Sequence, residues 1–154
     1  MESHAWGIFM PRDETASDRW IAYGIFRLAL GINILIHGFG RIFGPGAGGF
    51  ASKTAQMFVA TPLPHWAVYG FLLALPFIEA AVGVLLTLGL FTRWALVAGG
   101  LLMVCLIFGT GLRSDWPTVG IQMVYSITYF LLLFCRDYNV LSVDSLAGRF
   151  RPTA

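Results

Sequence analysis

The stretch WAVYGFLLALPFIEAAVGVLLTLGL, residues 66–90, decides the fold of this chain. Its only charged residue is Glu79, near the middle of the run. About 20 apolar residues are enough for an α-helix to cross a ~30 Å hydrocarbon core. A run this long without alternating polarity is typical of such a helix rather than of a strand. We therefore predict that residues 66–90 cross a membrane.

Three further apolar runs have the same character, at residues 20–43, 93–112 and 119–135. The links that follow the second and third runs are only a few residues long, so neighbouring helices must be antiparallel. The connection of residues 44–65 is much longer, and we expect an interfacial or re-entrant piece there on the outer face. The predicted fold is all-α: a bundle of four transmembrane helices with a long outer loop between helices one and two.

Composition places the chain in the membrane class. The 154 residues are 57% hydrophobic and 12% charged, and soluble domains average about 25% charged residues. The net charge is +2 and basic residues do not cluster, so we expect a lipid bilayer and no nucleic acid as partner. The two cysteines, Cys105 and Cys135, show neither CxxC nor metal-ligand spacing, so we expect no metal site and no covalently bound cofactor.

Basic residues outside the runs predict the orientation. Six lie on the side of the two termini and three on the other side, counting one at the end of helix one. Cytoplasmic segments are the ones enriched in Lys and Arg. We predict a multi-pass protein of the cell inner (plasma) membrane. Its four-helix domain covers residues 20–135, and residues 1–19 and 136–154 form cytoplasmic tails.

Two charged residues are expected at mid-membrane depth. At ~1.5 Å per residue, Arg27 lies ~24 Å and Glu79 ~20 Å from the outer ends of their helices. A charge at this depth costs roughly 2.5–3.5 kcal/mol on insertion scales, and such residues usually pair with one another. We therefore predict an intramembrane ion pair between Arg27 and Glu79, which serves either as a structural clasp or in function.

A second polar group is expected nearer the outer face. His37, Gln122 and Tyr125 fall at similar depths, and Asn33 lies one helical turn below His37. His37 is either a structural histidine or a residue that contacts a ligand or handles protons, a role that histidine often has in proteins. These four residues are the candidate site for a small molecule.

The order of several short motifs resembles that of the DoxX family. Residues 27–31, RLALG, and 37–41, HGFGR, are similar to the family's opening helix, with Arg41 where lysine is usual. Residues 79–83, EAAVG, and 88–93, LGLFTR, look like its second helix and the turn that follows. The resemblance covers roughly residues 20–135.

This resemblance implies a four-helix integral membrane protein that works as a subunit of a membrane-bound electron-transfer complex. The related DoxD proteins are subunits of a thiosulfate:quinone oxidoreductase, so quinone is the expected ligand, with His37, Gln122, Tyr125 and Asn33 as candidate contacts. No catalytic residue is assigned, and whether the chain is itself an enzyme stays open. The alternative is a non-catalytic anchor or assembly subunit of a larger membrane complex. A small transporter is less favoured, because no inverted repeat is visible.

Overall fold

The structure is a computed structural model that describes residues 12–148. Every regular element in this range is helical, and four of the helices are long and apolar enough to cross a membrane. The predicted all-α bundle of four transmembrane helices is therefore confirmed. The helices are α1 (Arg12–Phe43), α2 (Ala47–Ala55), α3 (His65–Leu88), α4 (Thr92–Leu112), α5 (Trp116–Phe134) and α6 (Val143–Leu146), with 3₁₀ turns at Gln56–Phe58 and Arg136–Tyr138.

The helices begin and end where local chemistry dictates. Helix α3 stops at Gly89, whose φ of 65° is the left-handed conformation that glycine adopts without steric cost. Helix α5 starts after Asp115, whose carboxylate accepts a hydrogen bond from the Thr118 N–H at 3.3 Å, and Pro117 occupies its first turn. These signals hold the connections on either side of α4 short, so α3, α4 and α5 run antiparallel.

Helices α1 and α3 form the closest interface of the bundle, and glycines make it possible. A Cβ atom on Gly38 would lie 2.5 Å from the backbone nitrogen of Ala80. A Cβ atom on Gly83 would lie 2.5 Å from the backbone nitrogen of Leu35. Small residues let the backbones of membrane helices approach closely, and dispersion contacts between the helices then stabilise the pair.

This interface places the end of α1 deep in the bundle. Gly38 packs against Ala80, close to the middle of α3, so α1 ends at Phe43 only about halfway along α3. The remaining half is covered by α2, which packs on α3 with Ala51 and Ala55 buried. The long connection thus contains a short helix that completes the first crossing.

After α5 the chain folds back beneath the bundle. The backbone N–H of Asp144 donates to the carbonyl of Gly89 at 3.0 Å, which joins α6 to the turn between α3 and α4. We call this end of the bundle, built from residues 89–94 and 136–148, the terminus-side face. The opposite end, built from residues 44–64 and 113–118, is the loop-side face.

Only part of each predicted tail lies within the residues that the structure describes. Residues 12–19 continue α1 as helix, and residues 136–148 form the folded-back segment, whereas residues 1–11 and 149–154 lie outside the described range. The cytoplasmic location of both tails stays a prediction.

Candidate functional site

Glu79 forms an ion pair in the middle of the bundle. The residue is 3% exposed, and its Oε2 accepts a hydrogen bond from Nη1 of Arg41. The Arg41 guanidinium also lies over the ring of Phe50, 4.8 Å from the ring centre. The pair therefore ties α3 to the end of α1 and to α2, where an unpaired carboxylate would be costly.

The predicted ion pair between Arg27 and Glu79 is wrong, because Glu79 pairs with Arg41 instead. The guanidinium of Arg27 donates to Oδ1 of Asn139 at 3.3 Å and to the carbonyl of Leu141 at 2.8 Å. Arg27 packs against Gly89, ten residues from Glu79 along α3, which is ~15 Å at the rise of an α-helix. The depth estimate assumed that the first two spans end level at the loop side, but α1 ends halfway along α3.

Arg27 instead belongs to a hydrogen-bonded network on the terminus-side face. Nδ2 of Asn139 donates to Oγ1 of Thr92 at 3.1 Å. The carboxylate of Asp144 accepts from the backbone N–H groups of Phe91 at 2.8 Å and Thr92 at 2.7 Å, so it caps the N-terminus of α4. Sequence reasoning missed Asn139 and Asp144 because both lie in a segment predicted to be a tail.

Asp144→Ala is expected to lower the free energy of unfolding by about 2–3 kcal/mol, since it removes two hydrogen bonds to a charged acceptor and leaves the buried N–H of Thr92 without its acceptor. Thermal unfolding in detergent measures this change. Asp137→Ala, which removes an exposed carboxylate from the same segment, is the control and should have little effect. Equal destabilisation by the two variants would contradict the capping role.

The structure brings together three of the four predicted ligand-binding residues. The hydroxyl of Tyr125 donates to Oδ1 of Asn33 at 2.8 Å, and the rings of His37 and Tyr125 meet edge to face with centroids 6.5 Å apart. The side chains of His37 and Asn33 are exposed on the surface of the bundle, between α1 and α5. These three residues form what we call the α1/α5 polar patch.

Gln122 lies apart from this patch, on the wall of a cavity. The cavity has a volume of about 360 Å3 and lies in the loop-side half, between α2, α3, α4 and α5. Oε1 of Gln122 accepts a hydrogen bond from Oγ1 of Thr110 at 2.7 Å. The amide Nε2 of Gln122 is therefore the group that this side chain can offer as a donor to a ligand. We call this space the loop-side cavity.

The walls of the loop-side cavity are mostly apolar, with a few polar groups. Two arginines are among the residues that line it, Arg41 and Arg113. The Arg113 guanidinium lies over the ring of Phe58 at 5.0 Å and within 3.5 Å of the Asp115 carboxylate. Because both guanidiniums are paired with carboxylates, the cavity suits a neutral ring with hydrogen-bond acceptors. Its aromatic walls are Phe50, Phe58, Phe71 and Phe108.

One buried hydroxyl in the bundle was missed by sequence reasoning. Tyr129 is 3% exposed, and its ring packs against Gly99, where no larger residue would fit. Its hydroxyl has no hydrogen-bond partner among the residues that the structure describes. The middle of the bundle therefore contains the buried hydroxyl of Tyr129 in addition to the Arg41–Glu79 ion pair.

Comparison with known proteins gives one match. The sequence model of the DoxX family matches residues 22–111, which is more than half of the chain. This region includes α2 and α3, nearly all of α4 and most of α1, and thus both members of the Arg41–Glu79 pair. No curated protein and no solved structure was found to match the chain.

Proposed function

The chain belongs to the DoxX family, and from that premise we propose that it is a quinone-binding subunit of a membrane-bound redox complex. The observation that carries the proposal is the loop-side cavity, which combines an apolar aromatic lining with a hydrogen-bond donor on its wall. Such a combination is the usual mark of a small-molecule site. The four apolar helices also support the proposal, since they place the cavity in a protein of the bilayer, from which a quinone would reach its site.

The residues present fit a quinone ring. The cavity volume of about 360 Å3 is in the range that binds small molecules, roughly 300–1,000 Å3. The rings of Phe71 and Phe108 offer apolar aromatic surface, and the Gln122 amide offers an N–H to a carbonyl oxygen. A quinone head group presents the matching features, a flat ring with two carbonyl acceptors.

Within this proposal each residue has a defined task. A quinone bound there would take two electrons from a redox-active partner subunit and two protons from water, and would leave as the quinol. Gln122 orients the ring through one carbonyl, with its own amide held by Thr110. Arg41 contributes to the cavity wall, and the Glu79 carboxylate balances its charge there. His37 and Tyr125 lie in the α1/α5 polar patch, outside the cavity lining.

Cys105 provides a direct test, because it is a free, exposed cysteine that contributes to the lining of the loop-side cavity. In the Cys135→Ala variant, we expect a short-chain, fully substituted quinone to slow maleimide modification of Cys105. Gln122→Leu should weaken this protection about tenfold, since one lost hydrogen bond of about 1.4 kcal/mol corresponds to that factor. His37→Ala is the matched control and should leave protection unchanged.

Two outcomes would contradict the proposal. The cavity is not the site if quinone gives no protection at any soluble concentration. The ligand belongs to the α1/α5 polar patch instead if His37→Ala weakens quinone binding and Gln122→Leu does not.

A second candidate function is supported by the α1/α5 polar patch. Polar side chains that face lipid at this depth are costly, and a helix of another subunit would cover them. The chain would then be an anchor or assembly subunit. We expect the Asn33→Leu/His37→Leu double variant to lose partners that co-purify with the parent chain from native membranes. Unchanged co-purification would rule out this surface as the contact.

A further inference from the structure

A second cavity opens on the terminus-side face. It has a volume of about 230 Å3 and lies between the first turn of α4 and the segment that follows α5. Polar groups make up a larger share of its walls than of the walls of the loop-side cavity. The two cavities have no lining residue in common, so this one is separate from the proposed quinone site. We call it the terminus-side cavity. Its lining residues are Phe91, Thr92, Arg93, Trp94, Arg136, Asn139 and Asp144.

The lining carries a net positive charge. Arg93 and Arg136 contribute two guanidiniums, and Asp144 contributes the one carboxylate. Both carboxylate oxygens of Asp144 accept backbone N–H groups at the start of α4. The cavity therefore favours an anion over a cation.

The position of the cavity matches the head groups of a bilayer. It lies at the first turn of a membrane-spanning helix, where Trp94 is 65% exposed. Tryptophan is enriched at this level of membrane proteins, because its ring is apolar and its N–H is polar. The guanidinium of Arg93 lies over the Trp94 ring, 5.5 Å from its centre, so charge and aromatic surface are presented together.

We propose that the terminus-side cavity binds the phosphate group of an anionic phospholipid from the adjacent leaflet. Arg93 and Arg136 contact the phosphate oxygens, which guanidinium groups bind in a bidentate geometry. Trp94 and Phe91 pack against the glycerol and the first acyl carbons. A volume of about 230 Å3 holds a head group and excludes the acyl chains, which remain in the bilayer.

Native mass spectrometry of the delipidated full-length protein, titrated with phosphatidylglycerol, tests the proposal. Phosphatidylcholine is the lipid control, and inorganic phosphate is a separate arm. We expect tighter binding of phosphatidylglycerol than of phosphatidylcholine. Arg93→Gln should weaken phosphatidylglycerol binding about fivefold and Arg93→Gln/Arg136→Gln about 25-fold, because each basic residue near an anionic surface contributes about that factor. Arg113→Gln, on the loop-side face, should have no effect.

Three results would overturn the proposal. The first is phosphatidylglycerol binding that is unchanged in the double variant. The second is equal affinity for the two lipids. The third is full displacement by millimolar inorganic phosphate, which would make the cavity a site for free anions. If the double variant fails to fold, Arg93→Gln decides alone, since the Arg93 side chain is exposed and its loss leaves the hydrogen bonds of Asp144 in place.

Discussion

Replacement of Glu79 by alanine is expected to lower the free energy of unfolding by about 3 kcal/mol. The change leaves the guanidinium of Arg41 without its carboxylate at the middle of the bundle, and removing one partner of a buried pair is strongly destabilising. The figure is at the low end for buried pairs, because the Arg41 side chain is 29% exposed. Unfolding in mixed detergent micelles measures the effect.

A double-mutant cycle identifies the partner. We expect Glu79→Ala and Arg41→Met to be coupled by about 2 kcal/mol, so that the double variant is more stable than the sum of the single effects predicts. Glu79→Ala and Arg27→Met should be additive within about 0.5 kcal/mol, since Arg27 lies near the terminus-side face. Strong coupling of Glu79 to Arg27, with none to Arg41, would show that the register of α1 on α3 is wrong.

Replacement of Gly38 by alanine should destabilise the bundle by about 2–3 kcal/mol, because overpacking of a tight interface costs about this much. The new Cβ would lie 2.5 Å from the backbone nitrogen of Ala80 and 2.6 Å from the carbonyl oxygen of Pro76. Backbone atoms cannot rotate away as a side chain can, so the two helices must separate. The melting temperature in detergent reports the loss.

Gly40, two residues further along α1, is the matched control. A Cβ atom at this position meets nothing within 4 Å. Gly40→Ala should leave stability unchanged or raise it slightly, since alanine is a better helix former than glycine by about 1 kcal/mol. Equal melting temperatures for Gly38→Ala and Gly40→Ala would contradict the close approach of α1 and α3.

The spans were predictable from sequence because each depends on its own length and hydrophobicity. The predicted run of residues 93–112 differs from the observed α4 by one residue. The depth of one helix relative to another was not predictable in this way. It depends on which glycines meet which backbone atoms, and the contact of Gly38 with Ala80 shifts α1 by many residues relative to α3. The error in the partner of Glu79 follows from that shift alone.

The prediction that Gln122 lies with His37, Tyr125 and Asn33 failed for a related reason. Depth counting placed Gln122 beside His37, since it gives height in the membrane and says nothing about direction around a helix axis. In the structure Gln122 faces α4 and the loop-side cavity, whereas His37 faces outward between α1 and α5. Arg113 and Phe58 line the same cavity from segments that the prediction treated as connections. Only the folded chain brings them to one place.

The contacts made by Asn139 and Asp144 also have a consequence for biosynthesis. Both residues follow all four apolar helices, so they leave the ribosome only after every span has been made. A chain released between residues 134 and 139 would contain everything needed for insertion. It would nevertheless leave Arg27 without Asn139 and the start of α4 without its cap. Incomplete translation products would therefore be inserted yet unstable, which makes them substrates for membrane proteases that remove poorly folded chains.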